Sequence, residues 1–414
     1  MRILWISPNL LHPIDKGGKI RTYQMLRSLL RQHDITYVCQ DDGSSTSEDR
    51  ESASEYCTRL VTVPFRLPRK GSPAFFLDIV RNVFSSLPYA VSRYKSPFLE
   101  ERVTNLAPQH DLVICDFLFP SYAVTTGLPV PTILFQHNVE AMIWERRASI
   151  PQNLIRKAYM REQWRRMQKY ESEECRRLDH VVAVSASDAE VFRTQYGVNS
   201  VSDVPTGVDL DYFSARESRP KDNPELIFVG SMDWLPNEDA VCWFSENVFS
   251  RVRQQIPNVR LTIVGRSPGS AVRNLAELDS GIQVTGTVPD VRPYLERGAV
   301  FIVPLRIGGG TRLKIYEAMA MGIPMVSTTI GAEGLPVQNG EHLLIADTPE
   351  EQASAITQLL QNPSLASNLA SNALKLVKEH GSWDSVAKHF LDCCRDAPRF
   401  KAHAQRTISH ECVG

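Results

Sequence analysis

Residues Gly308 to Pro324 read GGGTRLKIYEAMAMGIP and lie between the apolar runs AVFIVPL and MVST. Three glycines, a threonine, two cations and one glutamate thus gather where a strand hands over to a helix. Glycines let a backbone approach a ligand with no Cβ in the way. A helix start offers unpaired N–H groups and positive dipole, which suit phosphate oxygens. Neither common phosphate motif is spelled. A Walker loop needs Gly-Lys-Ser/Thr, but Gly310 is followed by Thr311-Arg312-Leu313, and G-x-G-x-x-G would need glycine where Leu313 stands. Arg312 and Lys314 fall in the first helical turn, where cations oppose the dipole unless an anion sits between them. Glu317 follows on the same helix, and a carboxylate accepts two hydrogen bonds side by side, as a ribose diol donates them. One helix can therefore hold a diphosphate at Gly308, Gly309, Gly310 and Thr311 and a ribose at Glu317. The competing reading is a glycine-rich turn with solvated cations and a Glu317–Lys314 pair.

Other residues of chemical interest are scattered. DKGGKI places Gly17 and Gly18 at a second helix start, with Lys19 and Arg21 nearby. His137 ends the apolar run PTILF, and Asp15 and Glu140 are acceptor-side candidates. Asp209-Leu210-Asp211 spells D-x-D but falls in a passage between domains, so it reads as structural, and no essential divalent ion is expected.

The elements that must position these residues alternate. β-rich runs at Ile3–Ile6, Ile35–Cys39, Leu60–Val63, Leu112–Cys115, Thr132–Phe135 and Val181–Val184 are separated by helix-period stretches. The rhythm repeats at Leu226–Val229, Val259–Val264, Ile282–Thr285, Val300–Val303, Met325–Ser327 and Leu343–Ile345, and then three helices close the chain. Continuous apolar strands between helices predict an α/β fold with two parallel sheets. The break falls at Asp209 to Glu225. The 414 residues suit two domains. A net charge of −1 supplies no global field toward nucleic acid. The eight cysteines are scattered without metal-ligand spacing and read as reduced thiols of a cytoplasmic protein.

Seven segments in order resemble family-4 glycosyltransferases of the GT-B fold: SPNLLHPIDKGGKIRTYQML, PTILFQHNVE, DHVVAVSASDAEVF, VPTGVDLDYF, IFVGSMDWLPNEDA, VTGTVPDVRPYL and GGGTRLKIYEAMAMGIPMVST. The variants DKGGKIRTYQML, GSMDW and GGGTRLK are most similar to transferases of bacterial exopolysaccharide systems. The resemblance implies two facing Rossmann-like doubly wound domains with a C-terminal helix crossing back. Residues 1–207, with the crossing helix at about 383–396, would form the acceptor side, 208–382 the donor domain, and 397–414 a disordered tail. It implies that Gly17 and Gly18 lie beside the donor diphosphate and that His137 touches the transferring sugar or the phosphates. Gly230 and Ser231 would form the first donor-domain loop, and the backbone of Gly286, Thr287 and Val288 would read the base. Glu317 would hold the ribose.

Two departures stand out. Gly309 occupies the place of the family's first glutamate, and the family's Gly-Arg and nearby lysine are absent, with Ser231 after Gly230 and Pro236-Asn237 beyond. Arg312, Leu313 and Lys314 are then expected to line the phosphate site, the two cations supplying the displaced charge. His137, Arg312, Lys314 and Glu317 are the expected catalytic set.

The expected activity is transfer of a hexosyl group, with retention and without cofactor, from a nucleotide-diphosphate sugar to a glycan or polyprenyl-linked acceptor in cell-surface polysaccharide biosynthesis. A peripheral contact with the inner face of the membrane is expected from two stretches in which cations alternate with apolar residues, Phe65 to Arg102 and Asn153 to Leu178. The alternatives are a non-catalytic sugar-nucleotide-binding protein and a nucleotide-sugar epimerase. A dinucleotide dehydrogenase lacks its G-x-G-x-x-G in both halves.

Overall fold

The computed structural model describes residues 1–14, 17–69, 71–149, 154–214, 224–307 and 313–397. The expectation of a disordered tail therefore falls almost wholly outside the described residues. The described residues divide into two compact units, one within 1–205 together with 383–397, the other within 206–307 together with 313–382.

In the first unit seven strands form one parallel sheet: β1 (Arg2–Ser7), β2 (Asp34–Asp41), β3 (Arg59–Pro64), β4 (Leu112–Asp116), β5 (Thr132–Gln136), β6 (His180–Ala183) and β7 (Val201–Asp203). Their spatial order is β3-β2-β1-β4-β5-β6-β7. Every residue of β4, β5 and β6 is buried, as apolar strands covered by helices on both faces require. Strand β7 was not legible beforehand: Val-Ser-Asp is too short and polar to signal itself, and it forms by pairing with β6 at the sheet edge. The helices that matter below are α1 (Gly17–Leu30), α2 (Pro73–Val83), α3 (Glu140–Ser149) and α4 (Leu154–Arg177). The closing helix, Trp383–Asp396, belongs to this unit and packs on α1 and β6. Its Phe390 ring lies 5.7 Å from Trp5 and 4.8 Å from Phe135.

The second unit carries six parallel strands: β8 (Glu225–Val229), β9 (Arg260–Val264), β10 (Ile282–Val284), β11 (Val300–Val303), β12 (Met325–Ser327) and β13 (Leu344–Ile345). Their order is β10-β9-β8-β11-β12-β13. Helix α5 (Leu235–Phe244) follows β8, α6 (Leu313–Ala320) precedes β12, and α7 (Pro363–His380) packs on α6. Ile315, Tyr316 and Met319 anchor α6 in the core with Phe228, Phe244 and Phe301. This fixes which side of α6 is left for chemistry.

Each sheet reverses its winding once, between β1 and β4 and between β8 and β11. The loops leaving such neighbours run in opposite directions and open a crevice at the strands' carboxyl ends. In the second unit the ends of β8 and β9 come unusually close, because a Cβ on Gly265 would overlap the Gly230 carbonyl oxygen. The two glycines let both strand ends and the loops beyond them converge on one spot.

Candidate active site

The second unit's crevice is built around Gly230. Lys314, in the first turn of α6, places Nζ 2.8 Å from Asn237 Oδ1 and 4.3 Å from the centre of the Phe228 ring. Asn237, in the first turn of α5, donates Nδ2 to the Ser231 carbonyl at 2.9 Å. A Cβ on Gly230 would come within 2.9 Å of both Asn237 Nδ2 and Lys314 Nζ, so only glycine leaves room for this meeting. Asn237 therefore orients a lysine that arrives from another helix. On the other side of the turn, Arg266 Nε donates to Ser231 Oγ at 2.6 Å and Nη2 lies 3.4 Å from Asp233 Oδ2. Lys314 and Arg266 thus bring positive charge to the Gly230–Ser231 turn. The expected partner Arg312, with Gly308, Gly309, Gly310 and Thr311, lies outside the described residues.

Glu317 sits one helical turn beyond Lys314. Burial pushes its carboxyl up to about 7, opposed by the charge of Lys314. The carboxylate has no hydrogen bond or ion pair to any described residue, and the competing Glu317–Lys314 pair does not form. The residue is half-buried and its oxygens remain open to solvent or a ligand, and carboxyls with raised pKa concentrate at functional sites. Gly286, Thr287 and Val288 lie in the loop leaving β10, two strands from β8, or about 10 Å across the sheet. Gly286 has φ of +70°, a left-handed conformation that glycine adopts without strain. Asp209 uses Oδ1 to accept the backbone N–H groups of Asp211 and Tyr212, so the D-x-D segment closes its own turn.

The first unit has its own cluster at the β1/β4 reversal. His137 follows β5 and is 3 % exposed, and its Nε2 lies 2.7 Å from Oδ1 of Asp116, the last residue of β4. Asp116 Oδ2 accepts from Thr22 Oγ1 at 2.8 Å and from Ser7 Oγ at 3.4 Å. Burial lowers the basicity of His137, and the Asp116 carboxylate opposes that shift. Phe117 has φ of +70°, a strained conformation for a residue with a Cβ, and its ring stacks on the imidazole at 3.9 Å. Gly17 opens α1, and a Cβ on Gly18 would strike Phe117 Cζ at 2.8 Å. Arg21 turns inward instead of toward a ligand, donating to the Val204 and Pro205 carbonyls. Glu140, expected on the acceptor side, starts α3, and its N–H and that of Ala141 donate to the buried Glu171 at 2.8 and 2.9 Å. Glu171 also accepts from Gln136 Nε2 and the Tyr196 hydroxyl, so it fixes both flanks of His137. Asp15 lies outside the described residues.

Comparison with known proteins matches both units. The model described as Glycosyltransferase Family 4 covers residues 16–212, and that described as Glycosyl transferases group 1 covers 223–362. The chain belongs to the family-4 GT-B glycosyltransferases. A 44.6 kDa protein of the Klebsiella pneumoniae cps region is 20 % identical over 389 residues, 92 % of this chain and 96 % of the relative. Among solved structures, sucrose-phosphate synthase of Thermosynechococcus elongatus superposes with a TM-score of 0.69 at 17 % identity, over 95 % of this chain and 98 % of that one. Anabaena HepE, in complex with UDP and glucose, gives 0.67 at 12 % identity, over 96 % of this chain and all of that one.

In this glycosyltransferase the sequence pointed to Gly230, Ser231, Lys314 and Glu317, and the fold gathers them at one switch point. It did not point to Asp116, Asn237 or Arg266. Asp116 and Arg266 are polar residues at or just beyond the end of an apolar strand, which reads equally well as a turn, and Asn237 reads as a helix-start residue.

Glu317 yields a prediction in two parts. A carboxyl whose folded pKa is raised above the ordinary value costs stability as pH climbs through about 7. Glu317→Gln is expected to stabilise the protein at pH 8 by roughly 2 kcal/mol, with the gain vanishing by about pH 4. The same change is expected to weaken sugar-nucleotide binding at pH 8. Thermal melts at the two pH values check the first part and calorimetric titration the second; an equal effect on stability at both pH values would contradict the burial argument.

Proposed function

We propose that this glycosyltransferase moves a hexosyl group from a nucleotide-diphosphate sugar to a glycan or polyprenyl-linked acceptor, with retention, in cell-surface polysaccharide biosynthesis. The observation that carries this reading is the unpartnered Glu317, one turn beyond a lysine steered by Asn237 at a sheet's switch point. Lys314 and Arg312 would face the diphosphate and Glu317 the ribose. The cps-region relative and the UDP and glucose bound by HepE support the substrate classes. In the reaction the anomeric carbon–phosphate oxygen bond breaks and a bond to the acceptor oxygen forms. The acceptor's proton passes to a phosphate oxygen of the departing nucleotide. Negative charge grows on the diphosphate, so fixed cations and helix N–H groups aimed at it lower the barrier. The proposed reaction uses neither a divalent ion nor a cofactor.

A panel of UDP, GDP, ADP and their hexoses, tested by thermal shift in the presence of chelator, reads the donor by mass action. One nucleotide family is expected to raise the melting temperature, and its sugar to be consumed once a polyprenyl-phosphate sugar or glycan acceptor is added. Stabilisation with no nucleotide release under any acceptor would favour the non-catalytic binder, for which the missing first glutamate at Gly309 speaks. Conversion of donor alone to an epimer would favour the epimerase.

We further propose that the first unit rests on the inner face of the membrane. Phe76, Leu77, Val80 and Val83 of α2 and the adjoining Phe84 are each more than half exposed or nearly so, beside exposed Arg81. Leu154 and Ile155, both 85 % exposed, open α4 next to Arg156. Arg166 of α4 ties the two helices by donating to the Asn82 carbonyl. An apolar face with cations beside it suits an anionic lipid surface. No helix among the described residues is long and apolar enough to cross a bilayer. The protein is expected to float with phosphatidylglycerol vesicles but not with phosphatidylcholine alone, and a Phe76→Ser/Phe84→Ser variant to stay behind; equal flotation of both proteins would remove this surface from the account.

A further inference from the structure

Two arginines flank the junction of α2 with α4, and they are held in opposite ways. Arg166 has its guanidinium saturated: Nε donates to Glu162, and the two Nη atoms donate to the Asn82 and Val83 carbonyls that end α2. Arg93 has no such partners. Its guanidinium carbon lies 5.5 Å from the centre of the Tyr89 ring and 5.3 Å from that of Tyr94, so the cation is gripped between aromatic rings. Its Nε is buried, and the guanidinium makes no hydrogen bond or ion pair among the described residues. Asp78 of α2 lies near the Tyr89 hydroxyl but does not pair with Arg93. A buried donor is almost always satisfied, and an exception points to a missing partner.

The rings that grip Arg93 are themselves fixed. The Tyr89 N–H donates to Gln163 of α4 at 2.7 Å, and Phe75 of α2 lies edge-on to the Tyr89 ring. The Tyr94 carbonyl accepts from Gln40 Nε2 of β2 at 2.8 Å and from the Tyr122 hydroxyl at 2.7 Å. The Tyr94 ring stacks on Phe65 and meets Phe119, in the loop leaving β4. A guanidinium held by its faces keeps its N–H edge for a ligand, and that edge matches two oxygens of a phosphate. Little side-chain freedom is left to lose, so binding costs less ordering. The cluster reaches from α2, whose Phe76, Val80 and Phe84 are uncovered, to the loop that follows Asp116. We infer that Arg93, between Tyr89 and Tyr94, binds the diphosphate of a polyprenyl-linked acceptor, with the prenyl chain over the apolar face of α2 and the sugar toward the loop leaving β4. The inference rests on the transferase and membrane readings for the identity of the lipid, and on the unpaired cation for its phosphate.

The test uses the full chain and phosphatidylcholine vesicles that carry either polyprenyl diphosphate or phosphatidylglycerol, matched in surface charge. The wild type is expected to bind the first about tenfold more tightly, as a charge-assisted bidentate contact allows. Arg93→Gln is expected to bind both vesicles alike. Arg81→Gln, which removes one exposed cation from α2 itself, is expected to weaken both by a similar factor and to keep the preference. Thermal shift by the nucleotide is expected to be unchanged in both variants, since the donor cluster lies in the second unit. Should Arg93→Gln fail to fold, Arg93→Lys carries the test: it keeps the charge without the fork and is expected to lose most of the preference. A wild type without the preference overturns the inference, and so does a folded Arg93 variant that keeps it whole. The vesicle arms need no sugar transfer. A chain that transfers nothing but keeps the preference sinks only the transferase reading, and a transferase without the preference sinks only this site.

Discussion

Parallel strands deliver their carboxyl ends, and the amino ends of the helices that follow, to one edge of a sheet. Everything chemical in this protein is built on that constraint. In the second unit it brings Gly230 from β8, Asn237 from α5, Arg266 from the end of β9 and Lys314 and Glu317 from α6 into one neighbourhood. In the first it brings Ser7, Thr22, Asp116 and His137 together from four different elements. Residues 77 positions apart, such as Asn237 and Lys314, meet because the winding reverses there and not because anything local directs them.

Both clusters are destabilising features held by the rest of the fold. Glu317 is a half-buried carboxyl and His137 a buried ring, with neither the carboxylate of the one nor Nδ1 of the other hydrogen-bonded among the described residues, and Phe117 is a strained backbone beside the ring. Each costs free energy that the aromatic and aliphatic cores must offset. A sequence selected for stability alone would have removed them, for example with glutamine at 317. The charge arrangement points the same way. Asn237 directs Lys314 toward the Gly230–Ser231 turn, while Arg266 reaches the Ser231 side of the same turn.

Much of this was legible in the chain. The strands announce themselves as β-branched and aliphatic runs, because a strand covered on both faces must be apolar throughout, and α6 carries its glycine-rich approach in plain view. What stayed hidden were contacts between distant segments. Asp116 closes LVICD and looks like a turn residue until β5 is laid beside β4 and His137 is found at its end. Asn237 looks like a helix-start residue, and Arg266 like a solvated cation after a strand. The apolar face of α2 was visible as alternation of cations with aromatics, but only packing shows that Phe76, Val80 and Phe84 stay uncovered.

The central claim is that α6 grips a sugar nucleotide by two groups on successive turns. A crystal structure of the protein with UDP-glucose, or with whichever sugar nucleotide it prefers, tests this most directly. The account predicts both ribose hydroxyls within hydrogen-bond distance of Glu317 and a diphosphate oxygen at Lys314 Nζ, with Asn237 still holding the lysine. A nucleotide bound elsewhere on the chain, with Glu317 turned to solvent, would contradict it.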